Sequence, residues 1–321
     1  MTNFLLFTIA ILSWGTSWYA IKFQLGPVPS ELSVAYRFLA GGLILLAFAK
    51  FKGHRKFSLK EHGLMLGQGL FLFCGNYILI YHSSHFLSSG VAAVVFSTLG
   101  LFNAINARIF LRQELSPVVL FAGILSIFGL VFVFWQDFIA LDAGTQLIAG
   151  LALALGSAYL ASLGNMIAFQ TKKLDLPIVP LTGYAMFYGS LISLAFSSLR
   201  GQTLVFDTST NYLLSIAFLV IFATVLAFIS YLTLLRDVGP SKAAYVIYGY
   251  PAVALVVSAM FEGYKISAVN LIGFALVLTG NLMILKSKKV ETAFSKLRLR
   301  PVHGPYTGYA LKVSCKKSKA C

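Results

Sequence analysis

Ten stretches of roughly twenty apolar residues, separated by short polar connections, constrain this chain more than any other feature. A helix rises 1.5 Å per residue, so about 20 apolar residues cross the hydrocarbon of a bilayer. The stretches are Phe4–Phe23, Leu32–Ala49, Gly63–Tyr81, Gly90–Leu111, Val118–Trp135, Leu147–Phe169, Ile178–Leu199, Tyr212–Leu235, Ala243–Phe261 and Val269–Leu285. Lipid offers no hydrogen bonds to the backbone, so each stretch must satisfy its own as a helix. The expected fold is an all-α polytopic membrane protein with ten transmembrane helices. Turn formers fill the connections: Gly26-Pro27-Val28-Pro29, Asp207-Thr208-Ser209-Thr210-Asn211 and Gly239-Pro240.

Charge supports this reading. Only 11% of residues are charged, against about 25% in soluble domains, which need charge to cover their surface. Ten of the 25 Lys and Arg residues lie after Leu285, so the apolar body has no continuous basic face for nucleic acid. The basic tail suits a cytoplasmic leaflet of anionic lipid. Placing the N-terminus in the cytoplasm puts Lys50, Lys52, Arg55, Lys56, Lys60, Arg112, Lys172, Lys173, Arg236, Lys242 and the tail inside. The outer connections then hold Lys22, Arg200 and Lys265. Both termini are expected in the cytoplasm, in a bacterial inner (plasma) membrane. No positive region precedes Phe4, so the first stretch reads as a retained span. Cys74 reads as a small buried hydrophobe, while Cys315 and Cys321 lie in the tail, where palmitoylation is the alternative to free thiols.

Shifting the second half back by 150 positions lays Tyr231 on Tyr81, Ala243 on Ala93, Ser267 on Pro117 and Gly273 on Gly123. Five spans per half turn the second half over in the membrane, which is the inverted-repeat plan of many secondary transporters. The expected units are a first five-helix repeat (1–143), a second (144–286) and a basic tail (287–321). The tail reads as solvated chain or as an anionic-lipid anchor.

Several residues carry candidate chemistry. Arg37 lies inside the second span, with Ser33 and Gly41 on the same face. A charge in hydrocarbon costs about 2.5–3.5 kcal/mol on insertion scales, so it needs a cavity or a partner. It serves either as a fork donor for a solute carboxylate or phosphate, or as a structural tie or snorkelling group. Ser13 and Ser17, with Gln24 completing their face, line a path or permit close packing. Asn76, Asn103, Asn106 and Asn165 each need a polar partner, from cargo or from another helix. Tyr77, Tyr245 and Tyr248 either line a cavity for an aromatic or amphipathic solute or belong to the interfacial aromatic belt, with Tyr245 and Tyr248 expected nearer mid-span. Tyr81 and Tyr231, near span ends, read as interfacial belt. His82 and His85 have no nearby Cys, Asp or Glu in sequence and make a poor metal site. Glu31, Glu114, Asp137 and Glu262 sit near span ends, so coupling through a deep carboxylate is unsupported and facilitated diffusion or exchange is favoured.

The chain resembles the drug/metabolite transporter superfamily, EamA-type ten-span carriers. The resemblance rests on Trp14-Gly15 through Ile21-Lys22, Arg37-Phe38-Leu39-Ala40, Tyr81, Ala92-Ala93, Glu114-Leu115-Ser116 and Gly123 in the first half. In the second it rests on Gly164-Asn165, Tyr231, Ala243-Ala244, Pro251 and Gly273. It implies a carrier of a small polar or amphipathic metabolite, such as an amino acid, working by alternating access. The alternative cargo is a nucleotide-like or adenosyl metabolite, and the rival class is an intramembrane enzyme. The expected partners are a small-molecule solute and membrane lipid. No cofactor, metal or nucleic acid is implied. Gly41, Glu114 and Pro251 are the expected gating positions. Leu101 stands where the family often has a proline, so the first half is expected to lack a kink; Gly263-Tyr264 stands where it has Gly-Glu, with Glu262 close by.

Overall fold

The structure, a computed structural model, describes residues 3–52, 56–112, 117–133, 135, 145–174, 176–237 and 245–286. Among these residues it is all helical, with no strand. The helices are α1 (Asn3–Lys22), α2 (Ser30–Lys52), α3 (Leu59–Ser83), α4 (Ser89–Phe96, resuming as Leu99–Leu111) and α5 (Pro117–Val133). There follow α6 (Thr145–Lys173), α7 (Ile178–Leu199), α8 (Thr210–Phe218, Leu219–Leu226 and Ala227–Asp237), α9 (Tyr245–Phe261) and α10 (Ala268–Lys286). Seven are long and apolar enough to cross a membrane: α1 to α4 and α6 to α8. The helices α5, α9 and α10 are equally apolar over shorter described lengths. Glu114, Asp137, Ala243, Ala244 and the tail lie outside the described residues.

Local chemistry sets several helix starts. Ser58 and Glu61 form a reciprocal capping box at α3, with Ser58 N donating to Glu61 Oε2 at 2.7 Å. Ser267 Oγ accepts from Asn270 N at the start of α10, while Asn270 Nδ2 donates to Val133 O at 2.7 Å and ties that start to the end of α5.

Side chains are sorted inside out, as a lipid solvent requires. On α5, Leu120, Phe121, Ile124, Ile127 and Phe128 are exposed, while Ala122, Gly123, Ser126 and Gly129 are buried. Small residues let backbones approach. A Cβ on Gly273 of α10 would stand 2.6 Å from the Gly129 carbonyl of α5. A Cβ on Gly42 of α2 would stand 3.0 Å from the Gly183 carbonyl of α7. The pairs α5/α10, α3/α6 and α2/α7 are the most extensive contacts of the fold. Packing also exchanges partners between halves: α1 lies on α8 and α9, and α6 lies on α3 and α4.

Two helices contain π-helical turns, Gly69–Gly75 in α3 and Leu219–Leu226 in α8. Their first residues are 150 positions apart (219 − 69), the register found in the sequence. The expectation of an unbroken first half fails. It is α4, without a proline, that is interrupted, because the Ser97 and Thr98 hydroxyls donate to the Val94 and Val95 carbonyls at 2.6 and 2.7 Å and compete with the backbone ladder. In the other half α9 runs as one helix through Pro251.

Candidate solute site around Arg37

Arg37 lies seven residues along α2 and is 1% exposed. Its guanidinium sits over the rings of Tyr77 (4.8 Å) and Phe38 (5.2 Å), which lie edge to face with each other. Such cation–π contacts contribute about 0.5–2 kcal/mol, more where water is excluded. Nε donates to Thr224 Oγ1 of α8 at 3.1 Å. Nη1 is buried with no hydrogen-bond partner. The buried Tyr81 hydroxyl lies beside the guanidinium, within reach of its charge and its N–H groups, and its own proton has no acceptor. Two donors on two helices are thus buried without a protein acceptor. Leaving a buried donor unmade costs about 1–3 kcal/mol, and more for a charged one.

The neighbouring helix is shaped to meet Arg37. Thr224 belongs to the π-helical turn of α8, where carbonyls shift out of the ordinary ladder. Trp14 Nε1 of α1 donates to Ala223 O of that turn at 3.0 Å. Arg37 and Trp14 therefore hold adjacent residues of one irregular segment. Gly41, one turn beyond Arg37, lets Thr224 in: a Cβ there would stand 2.7 Å from Thr224 Cγ2. Further aromatic rings pack on one another nearby. Trp18 stacks on Tyr250 at 6.0 Å, and Trp14 packs edge-on to Phe228 at 5.5 Å.

Toward the end where α1 finishes at Lys22, polar contacts close the bundle over this site. Glu31 is fully buried; its Oε1 accepts from Arg200 Nη1 at 2.7 Å and pairs with His82 Nε2 at 3.2 Å, and its Oε2 accepts from Gln202 Nε2 at 3.3 Å. Ser33 Oγ and Tyr212 Oη are 3.0 Å apart, and Gln24 Nε2 donates to Tyr212 O at 3.2 Å. Glu262 Oε2 accepts from both the amide and the hydroxyl of Ser89 at 2.8 Å, and from Ser258 Oγ. Lys22 Nζ donates to the Ser84 and Leu87 carbonyls. Burial first, then the charges of His82 and Lys22, hold the His85 imidazole below its ordinary pKa.

Several expectations are corrected. His82 does have an acidic partner, Glu31, brought from α2 by the fold. Among the described residues no group of three His, Cys, Asp or Glu is arranged around a metal ion. Tyr81 is not in an interfacial belt but fully buried. Tyr231 packs its ring on Trp14, centroids 5.4 Å apart, inside the bundle. Tyr245 is not near mid-span; it is the first described residue of α9 and is exposed.

Of the other candidates, Asn76 spends both ends of its amide on protein, donating to Leu72 O at 3.1 Å and accepting from Ser157 Oγ at 2.6 Å. Asn165 Nδ2 donates to Asn103 Oδ1 at 3.2 Å, joining α6 to α4, and Asn106 reaches Ser162 at 2.9 Å. Ser17 Oγ donates to Trp14 O within its own helix, and Ser13 is buried in α1. Tyr248 Oη stands near Gly100, as does Asn281 Oδ1, which is buried without a partner. Pro251 is buried in α9. The structure thus gathers Arg37, Tyr77 and Gly41 and leaves the rest elsewhere. Sequence reasoning missed Thr224 and Asn281 and misplaced Tyr81. Tyr81 carried a signal in its 150-residue match to Tyr231, and Asn281 carried one as an amide inside the tenth apolar stretch; Thr224 carried none.

Comparison with known proteins agrees with this architecture. The model of the EamA-like transporter family matches twice, over residues 1–135 and 148–286. The chain is 27% identical over 294 residues to the Escherichia coli K12 protein "Uncharacterized inner membrane transporter YedA", covering 85% of this chain and 88% of that one. It is 25% identical over 296 residues to "Uncharacterized transporter YdfC" of Bacillus subtilis, covering 89% and 94%. A crystal structure shares the fold, with a TM-score of 0.61 at 18% identity over 92% of this chain and 99% of that one. The chain is an integral, multi-pass membrane protein and belongs to the EamA-like transporter family.

Proposed function

We propose that this protein is a secondary transporter that carries a small polar or amphipathic metabolite by alternating access, with Arg37 at its central site. Amino acids and related compounds are the first class to test. The proposed frame is ten spans in two inverted halves, 1–143 and 144–286, with both termini and the 287–321 tail in the cytoplasm. Three findings support that frame. The family model matches once in each half. The π-helical turns recur 150 residues apart. The packing repeats between the halves: α2 lies on its counterpart α7 and α5 on α10, and α1 lies on α8 and α9 as α6 lies on α3 and α4. The Lys/Arg bias supplies the orientation, in which the Glu31–Arg200 end faces outward.

The observation that carries the reading is the half-satisfied, fully buried Arg37 guanidinium held between the two halves through Thr224. A structural arginine would spend its donors on the protein, whereas a carrier must keep some for cargo. The outer ties of Glu31, Ser33 and Glu262 make this the outward-closed arrangement, and opening has to exchange them for others. The experiment is uptake into proteoliposomes across a panel of metabolites. Solute-specific uptake above that of empty vesicles is expected, and uptake no greater than that of empty vesicles for every solute would overturn the reading.

A further inference from the structure

We infer that the Arg37 site receives the single carboxylate of its solute, with Arg37 Nη1 and Tyr81 Oη as its two donors. This rests on the carrier reading and narrows it to one chemical class.

Charge matching is the first argument. Every other Lys or Arg in the described helices lies within four residues of a helix end, so Arg37 is the one cation at depth. No described carboxylate neutralises it, since Glu31 is taken up by Arg200, His82 and Gln202, and Glu262 by Ser89 and Ser258. One buried positive charge is neutralised by one negative charge. A phosphate dianion would bring a second negative charge into the same low-dielectric space with nothing to meet it.

Donor geometry is the second. A carboxylate has two oxygens. The site has one unused guanidinium nitrogen and one unused phenol, contributed by α2 and α3. The Tyr77 and Phe38 faces hold the guanidinium plane, and Thr224 anchors its Nε end, so Nη1 is oriented before any ligand arrives. Charge-assisted bonds from a preset donor pair lose little entropy on binding. An amide or ester cannot replace the carboxylate, because it leaves the guanidinium charge buried and uncompensated.

The test uses the full-length protein in detergent and its own tryptophans. The chain has three, and Trp14 holds Ala223 next to the Thr224 that holds Arg37. The probes are free L-amino acids, 2-oxo acids and short monocarboxylates, each paired with its carboxamide, plus inorganic phosphate. Some acids are expected to change the tryptophan emission and raise the melting temperature, while their amides and phosphate do neither. Arg37→Gln should weaken the response of those acids by about 100-fold or more, and Tyr81→Phe by about tenfold, as expected for a charged and a neutral hydrogen bond. If Arg37→Gln fails to fold, Tyr81→Phe and Arg37→Lys carry the test, with Lys retaining a weakened preference for acids. Amides acting as strongly as acids, phosphate acting more strongly, or an Arg37→Gln protein with an undiminished response would overturn the inference. Vesicles that move amides and acids alike would sink the carboxylate and leave the carrier standing. Vesicles that move nothing would remove the carrier reading first.

Discussion

The π-helical turns of α3 and α8 are the same backbone device put to different uses. Both begin at matching places, Gly69 and Leu219. In each a side-chain N–H takes up a carbonyl: Asn76 Nδ2 donates to Leu72 O, and Trp14 Nε1 donates to Ala223 O. They then diverge. The α3 turn is closed by protein. Asn76 also accepts from Ser157, and a Cβ on Gly69 would stand 2.5 Å from the Ala185 carbonyl of α7. The α8 turn presents Thr224 to Arg37, whose other end stays unspent. Related halves can keep a common frame while only one of them holds the chemistry, and the difference lies in a few side chains.

Substitutions at matching places can break this contrast. Gly69→Ala should have the largest effect on folding, because its Cβ meets backbone, which cannot rotate away. About 1–3 kcal/mol is expected from such overpacking, seen as a lower melting temperature and poor yield. Gly41→Ala meets only the Thr224 methyl, which can turn aside. That turn carries Oγ1 away from Arg37, so transport should fall while the melting temperature hardly moves.

Thr224→Val sharpens the same point. It keeps the volume and removes the acceptor from Arg37 Nε. A hydrogen bond to a charged group contributes about 1.5–3 kcal/mol, so apparent affinity for solute should drop about 10- to 100-fold in vesicle uptake. An unchanged affinity would show that the α8 turn does not serve the site.

Asn76→Leu is the mirror experiment on α3. It removes bonds to Leu72 and Ser157. The Ser157 bond joins α6 to α3, and interhelical polar contacts in membranes average about 0.6 kcal/mol, so thermal unfolding should shift by a few degrees and solute affinity should stay within about twofold. A selective loss of affinity would place the α3 turn in the solute path and erase the asymmetry.

Much of the frame was legible from residues alone. Hydrocarbon demands long apolar helices, and the runs from Phe4 to Leu285 met that demand closely enough to place helix ends within a few residues. Arg37 was legible because a charge at depth needs a reason. Thr224 was not, since threonine in an apolar run carries no positional signal and its role exists only once α8 lies against α2. Tyr81 was misread because distance along a helix from its end does not say which way the ring points. The α4 interruption was missed for a related reason. Ser97 and Thr98 look neutral in sequence, and the competing hydrogen bonds appear only in three dimensions. His82 likewise gained its acid, Glu31, from a helix 51 positions earlier.

The central claim is that Arg37 meets the cargo and Asn76 meets only protein. Its most direct measurement is the initial rate of solute uptake by wild type, Arg37→Ala and Asn76→Leu in vesicles carrying equal amounts of folded protein. The account predicts that Arg37→Ala lowers the rate about 100-fold or more, the loss of a buried charged contact, while Asn76→Leu stays near wild type. Equal rates for wild type and Arg37→Ala would contradict it.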